Sequence, residues 1–296
     1  MVRRILGLTS GRIAATIFAV ITLLAVLGPV LAPQDPLATS TAVLESPSVH
    51  HLLGTDYLGR DVLSRLLDGS RVSVLGAVQV ALMALVVGAV PGVLSVYFGR
   101  VFEWVTLRLA DTLIALPFLV FAVAVTALLG NGIAQAMFTV GIMVSPIFYR
   151  VSRAATLSVA RSQYVEAAIV SGASVAWLVR KHVWVKVLPP IAVALAHTTG
   201  VGFVVVSSLT FLGIGVRPPA PTWGGVLASD LGFLSYQPYA PLVPVALIMA
   251  TVWACNLLAD AIRDVSGEAG RALLNTKKVH ARRSAGPGLV NEGRGA

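Results

Sequence analysis

The sequence predicts an all-α polytopic membrane protein with six transmembrane helices and both termini in the cytoplasm. Three observations carry that expectation. The 296 residues are 56% hydrophobic and only 12% charged, against roughly 25% charged in a soluble domain, and the mean hydropathy is +0.85. Six apolar runs approach the ~20 residues that a helix needs to cross a bilayer. The positive charge is also lopsided. With the N-terminus inside, only Arg60, Arg65, Arg71 and Arg217 of the 22 Lys and Arg fall on the outer side, as the positive-inside rule requires.

Backbone groups in lipid must be satisfied within the chain, which leaves helices or closed barrels. Runs this long, without polar alternation, favour helices. Residues 1–12 are a short basic lead-in. The first run, residues 13–32, exceeds the apolar core of a secretory signal, so it reads as a retained helix. Residues 33–71 form an external segment rich in Pro, Ser, Thr and acids, within which Asp61–Leu67 reads as a short amphipathic helix. The membrane core, residues 72–262, holds the runs Val72–Phe98, Trp104–Leu129, Ile133–Val151, Pro190–Gly213 and Ala240–Ile262. The short links Gly99–Glu103 and Gly130–Gly132 make the first three of these antiparallel neighbours. Ile214–Tyr239, rich in Pro, Gly and aromatic residues, should pack on the outer mouth. Residues 263–296 are a basic cytoplasmic tail, Gly-rich from about Ser284 and expected to be partly disordered.

The long cytoplasmic loop, residues 155–189, is the most informative stretch. Leu157–Val170 can form a helix, and Gly172 can then adopt the left-handed conformation that ends one. Ser174 can cap a second short helix, Val175–His182. Pro189 and Pro190, lacking backbone donors, suit the first turn of the next span. The expected product is two short helices across the membrane face, a shape suited to a partner's groove.

Other polar residues divide into candidates and scaffold. His197, Thr198, Ser207, Ser208 and Thr210 share one span with Thr199, and either line a wet pathway or bond across helices. Asp111 and Asp260 lie near cytoplasmic ends, where solvent, Arg108 or Arg263 can satisfy them. Asp56, Arg60, Asp61 and Arg65 should brace the external segment through local ion pairs. Trp223 and Tyr236 suit an interfacial aromatic belt. Asp56, Arg60, Asp61 and Trp223 are also candidates for contact with an external protein. His50 and His51 alone do not make a metal site, and the single Cys255 supplies neither disulfide nor cluster. The basic residues are spread over separate loops, which argues against nucleic acid as a partner. A membrane enzyme would need a catalytic constellation such as HExxH or GxSxG, and neither is present. An ion-coupled secondary transporter would need buried acids near the midplane and an inverted repeat, and the sequence offers neither.

Four motifs in order carry a family resemblance over roughly residues 50–265. They are His51-Leu52-Leu53-Gly54-Thr55-Asp56 with Leu58-Gly59-Arg60-Asp61-Val62-Leu63-Ser64-Arg65; Glu166-Ala167-Ala168 with Gly172 and Leu188-Pro189; Phe211-Leu212-Gly213-Ile214-Gly215-Val216 with Pro218-Pro219, Pro221 and Trp223-Gly224; and Asn256-Leu257-Leu258 with Asp260 and Arg263-Asp264. Together they resemble the ABC transporter permeases of the peptide and nickel importer family, most of all the dipeptide/oligopeptide C subunit. Ala259, where the family often has Gly, and Ser266-Gly267-Glu268, where it often ends Asp-Pro-Arg, depart from the pattern.

The resemblance implies the importer-type permease fold and a role as half of a translocation pathway for dipeptides or oligopeptides across a bacterial inner membrane. Nickel, opines or another small solute are alternatives within the same architecture. It makes Glu166, Ala167, Ala168, Gly172, Ala173 and Ser174 an EAA loop that docks an ATPase. The implied partners are a homologous second permease, ABC ATPase subunits and an extracytoplasmic solute-binding protein. The chain has no GxxxxGK[ST] phosphate loop, so ATP and Mg are expected on the ATPase subunits, and no cofactor or metal in this chain.

Overall fold

The structure, a computed structural model, describes residues 2–130, 132–163, 165, 170–172, 174, 177, 183–216 and 219–284, those from 268 onward as backbone only. Among the described residues the regular elements are helices, apart from an isolated bridge between Thr55 and Asp61. They are α1 (Val2–Ile5), α2 (Thr9–Leu31), α3 (Val62–Leu94), α4 (Gly99–Ala115), α5 (Phe118–Leu129), α6 (Ile133–Ala160), α7 (Trp184–Phe211), α8 (Trp223–Leu231) and α9 (Leu242–Ser284). Among them α2, α3, α6, α7 and the Leu242–Gly267 part of α9 are long and apolar enough to cross a membrane, and α4 with α5 makes a sixth if a bent pair counts as one span.

Several element boundaries differ from the sequence expectation, each for a local reason. The expected short helix Asp61–Leu67 and the span Val72–Phe98 are one helix of 33 residues. Asp61 caps it by accepting from the Ser64 amide at 2.8 Å, and nothing between Leu67 and Val72 breaks it. At 1.5 Å per residue α3 is about 50 Å long, so several turns extend past a ~30 Å hydrocarbon core. The expected single span Trp104–Leu129 is broken, α4 and α5 being bent by 99°. Pro117 has no backbone donor, and it holds Leu116 extended at φ −75° and ψ 137°. The expected link Gly99–Glu103 is the first turn of α4.

The expected span Ile133–Val151 runs on to Ala160, so the first part of the expected loop helix belongs to the membrane helix itself. Pro189 and Pro190 lie not in the first turn of α7 but in its second, since the helix begins at Trp184. The last helix continues past Ile262 into the segment read as tail, as far as Ser284.

At the centre α3 packs along α6, and α7 packs on both as well as on α9, with α2 against α3 and α9. Small residues allow this closeness. A Cβ on Gly88 would collide with the Ser145 carbonyl, and one on Gly92 with the Ser152 hydroxyl and the Tyr149 carbonyl. Without a hydrophobic drive between helices in lipid, such close backbone approach is what joins them. Large apolar side chains instead face outward, Val26, Val101, Leu109 and Met249 among them.

Candidate functional site

Among the described residues, the 54–65 turn and the flanks of the long loop lie at opposite ends of the bundle. At one end the turn 54–60 is organised by Asp56. Its Oδ1 accepts from the Leu58 and Arg60 amides at 2.9 and 3.0 Å. Its Oδ2 meets Arg60 Nε and Nη2, both at 2.7 Å, and lies 3.5 Å from Arg65 Nε. Asp61 Oδ2 also accepts from the Ser64 hydroxyl at 2.7 Å, and its Oδ1 faces His51 Nδ1 at 3.1 Å. These local ion pairs brace the segment.

The four contact candidates at this end, Asp56, Arg60, Asp61 and Trp223, are all 5% exposed or less. Their side chains are therefore spent inside the chain. Trp223 does not sit in an aromatic belt. Its indole Nε1 donates to the Leu66 carbonyl at 3.1 Å, its amide to the Ser73 hydroxyl at 3.2 Å, and its ring stacks on Phe203 at 6.1 Å. Next to it, a Cβ on Gly224 would strike the Ser207 carbonyl, so only glycine lets α8 lie this close to α7. Tyr236 is exposed.

The opposite end carries the loop. Gly172 has φ +84° with open space around it, the left-handed turn expected there. Ser174 Oγ accepts from the Trp177 amide at 3.3 Å, as a cap does. Glu166, Ala167, Ala168 and Ala173 lie outside the described residues. Within the loop, Val165 towards its start and Val183 and Val187 towards its end are buried in the main core, so the loop is rooted in the bundle at both ends.

A set of cross-helix bonds just before the loop is not visible in sequence spacing. Arg150 Nη2 meets Asp111 Oδ1 at 2.9 Å, Arg153 pairs with Glu103, and the Tyr149 and Thr106 hydroxyls share a hydrogen bond of 2.9 Å. Asp111 thus pairs with Arg150 rather than with Arg108. Asp260 pairs with Arg263 at 3.0 Å. Tyr149, Arg150 and Arg153 lie on neighbouring turns of α6, so three polar links tie it to α4, a helix whose one buried residue is Ala110.

The candidate pathway residues of α7 do not converge on one point. His197 is exposed, with Nδ1 3.0 Å from Asn256 Oδ1 on α9. Thr198 is buried and its hydroxyl has no partner among the described residues, and the same holds for Ser207. Ser208 and Thr210 bond back to the Val204 and Val206 carbonyls. Ser207 and Ser208 edge a cavity of about 360 Å³ whose other walls, including Phe211, Leu227 and Met249, are apolar.

Family comparison agrees with this architecture. The model of binding-protein-dependent transport system inner membrane components matches residues 83–268, more than half of the chain. The chain belongs to that family: it is a multi-pass membrane permease of the ABC transporter class. Its relatives include the dipeptide transport system permease protein DppC of Haemophilus influenzae, 31% identical over 83% of this chain and 85% of that protein. The probable D,D-dipeptide transport system permease protein DdpC of Escherichia coli is 34% identical, covering 85% of each. The glutathione transport system permease protein GsiD of Pectobacterium atrosepticum is 34% identical over 74% of this chain and 73% of that protein. Among solved structures, a chain of the MetNI methionine ABC transporter superposes with TM-score 0.56 at 19% identity, covering 69% of this chain and 96% of that one. This likeness shows a shared fold. Membership assigns the chain transport rather than catalysis.

Proposed function

We propose that this chain is one permease subunit of an ATP-driven importer for dipeptides or short oligopeptides in a bacterial cytoplasmic membrane. The observation that carries the proposal is the family match together with relatives named for dipeptide, D,D-dipeptide and glutathione transport, all short peptides or peptide derivatives. Six spans then cross the membrane, the broken pair α4–α5 counting as one, with both termini inside. The 54–65 end faces outward, where a solute-binding protein delivers cargo, and the 161–183 end faces the cytoplasm. A homologous second permease completes the pathway, and ATP with Mg is used on ABC ATPase subunits that dock at the EAA loop. ATP-driven closure of those subunits moves the loop, and α6, which ends at Ala160 just before it, carries that movement into the membrane, a two-state change of the kind driven by differential binding.

The test lies on the loop. Glu166→Ala and Gly172→Val should insert normally, yet lose co-purification of the ATPase subunits or leave ATP hydrolysis uncoupled from uptake. Normal ATPase capture with normal uptake in both variants would remove the docking assignment.

A further inference from the structure

At the proposed outer end a cavity of about 320 Å³ opens between the turn 57–60, the first turn of α3, the end of α7 with the segment that follows it, and α8. Its walls include Tyr57, Arg60, Arg65, Thr222, Gly225 and Ser229. Both guanidinium side chains are buried, each residue 5% exposed. Arg60 is committed: it grips Asp56 through two nitrogens and lies over the Tyr57 ring at 5.6 Å. Arg65 is not. Its Nη1 donates to the Pro36 carbonyl at 3.2 Å, but among the described residues its Nε makes no hydrogen bond, and the nearest acid, Asp56 Oδ2 at 3.5 Å, is taken by Arg60.

One carboxylate therefore serves two guanidiniums. The other acid acting on Arg65 is Asp230, 6% exposed, whose Oδ2 has no partner among the described residues. Burial first, then the negative charge of Asp56, push its carboxyl up to about 7, against the weaker pull of Arg65. Near neutral pH it supplies less than a full negative charge. The cluster is short of an anion, and a buried charge without its full partner is costly.

We propose that this cavity binds a carboxylate at Arg65, and that the carboxylate is the C-terminal group of a short peptide arriving at the outer mouth. The second half rests on the peptide-import reading above. A guanidinium presents planar N–H donors matched to a carboxylate and stays charged in a buried site. The volume lies at the small end of ligand pockets, enough for the end of a peptide and too little for a folded domain. A peptide amide brings no charge to offset the desolvation of Arg65.

The full chain, purified with its co-purifying subunits but without the binding protein, is unfolded thermally with millimolar acetate, dialanine or dialanine amide. Acetate and dialanine should raise the unfolding midpoint, and the amide should not. Arg65→Gln should abolish the shift. Since that change also removes the bond to Pro36, Ser229→Leu serves as the second variant: it fills the cavity, keeps both guanidiniums and should abolish the shift too. The site is refuted if the amide acts as strongly as the acid, if neither acid shifts the wild type, or if Ser229→Leu keeps the full shift. Acetate acting where dialanine does not would refute the peptide terminus as occupant. Failure of the import reading shows elsewhere, as absent ATP-driven dialanine uptake by the wild type.

Discussion

Trp223 joins three helices through one side chain: the indole bonds α3, the ring stacks on α7, and the residue itself opens α8. Trp223→Ala should cost about 3–5 kcal/mol, the usual range for deleting a buried aromatic, read as a lower unfolding temperature in detergent. An unchanged temperature would mean that α8 is held elsewhere. Asp230 gives a second residue-scale prediction. Its folded carboxyl titrates at about 7 against 3.8 unfolded, so between those values the folded form keeps a proton that the unfolded chain has released. Stability must then fall as pH rises from about 4 to 7 and level off above. Asp230→Asn should unfold with the wild type at pH 4 and at a higher temperature at pH 8, and equal differences at both pH values would contradict the assignment. The bracing role of Asp56, Arg60, Asp61 and Arg65 was legible in their spacing. That Trp223 is core rather than belt was not, because its partners, Leu66 and Ser73, lie about 150 residues away in sequence.

On the coupling proposed above, the elements that matter most for transmission are α4 and α6. Because α6 runs unbroken into the loop and is tied to α4 by Arg150–Asp111, Arg153–Glu103 and Tyr149–Thr106, the two should move as a unit. The Arg150–Asp111 pair is exposed, and exposed ion pairs contribute only about 0–1 kcal/mol to stability, so its effect should appear in coupling rather than in folding. Asp111→Arg should reduce ATP-driven uptake several-fold with little change in unfolding temperature, and adding Arg150→Asp should restore most of it. A double variant no better than the single would refute the link. Apolar runs were legible in the sequence because lipid demands them. Their ends were not, since Pro117 breaks a helix inside an unbroken hydrophobic stretch while Ser70 and Arg71 continue one outside it. Composition reports the solvent of a segment, and backbone donors and caps decide where the helix stops.

For the molecule as a whole, the ordered motifs made the family legible from sequence, while the way the chain turns them into a cavity and a clamp depended on packing between distant segments. The orientation proposed here can be read directly: a reporter fused near Asp56 should be accessible from outside and one near Ser174 from the cytoplasm. The reverse pattern would invert the account of both ends. The central claim is ATP-driven import of short peptides, and it is tested most directly by reconstituting this chain with its partner permease, ATPase subunits and binding protein in liposomes. The account predicts accumulation of labelled dialanine that requires both ATP and the binding protein. Accumulation driven by an ion gradient without ATP, or ATP hydrolysis with no peptide movement in the wild type, would contradict it.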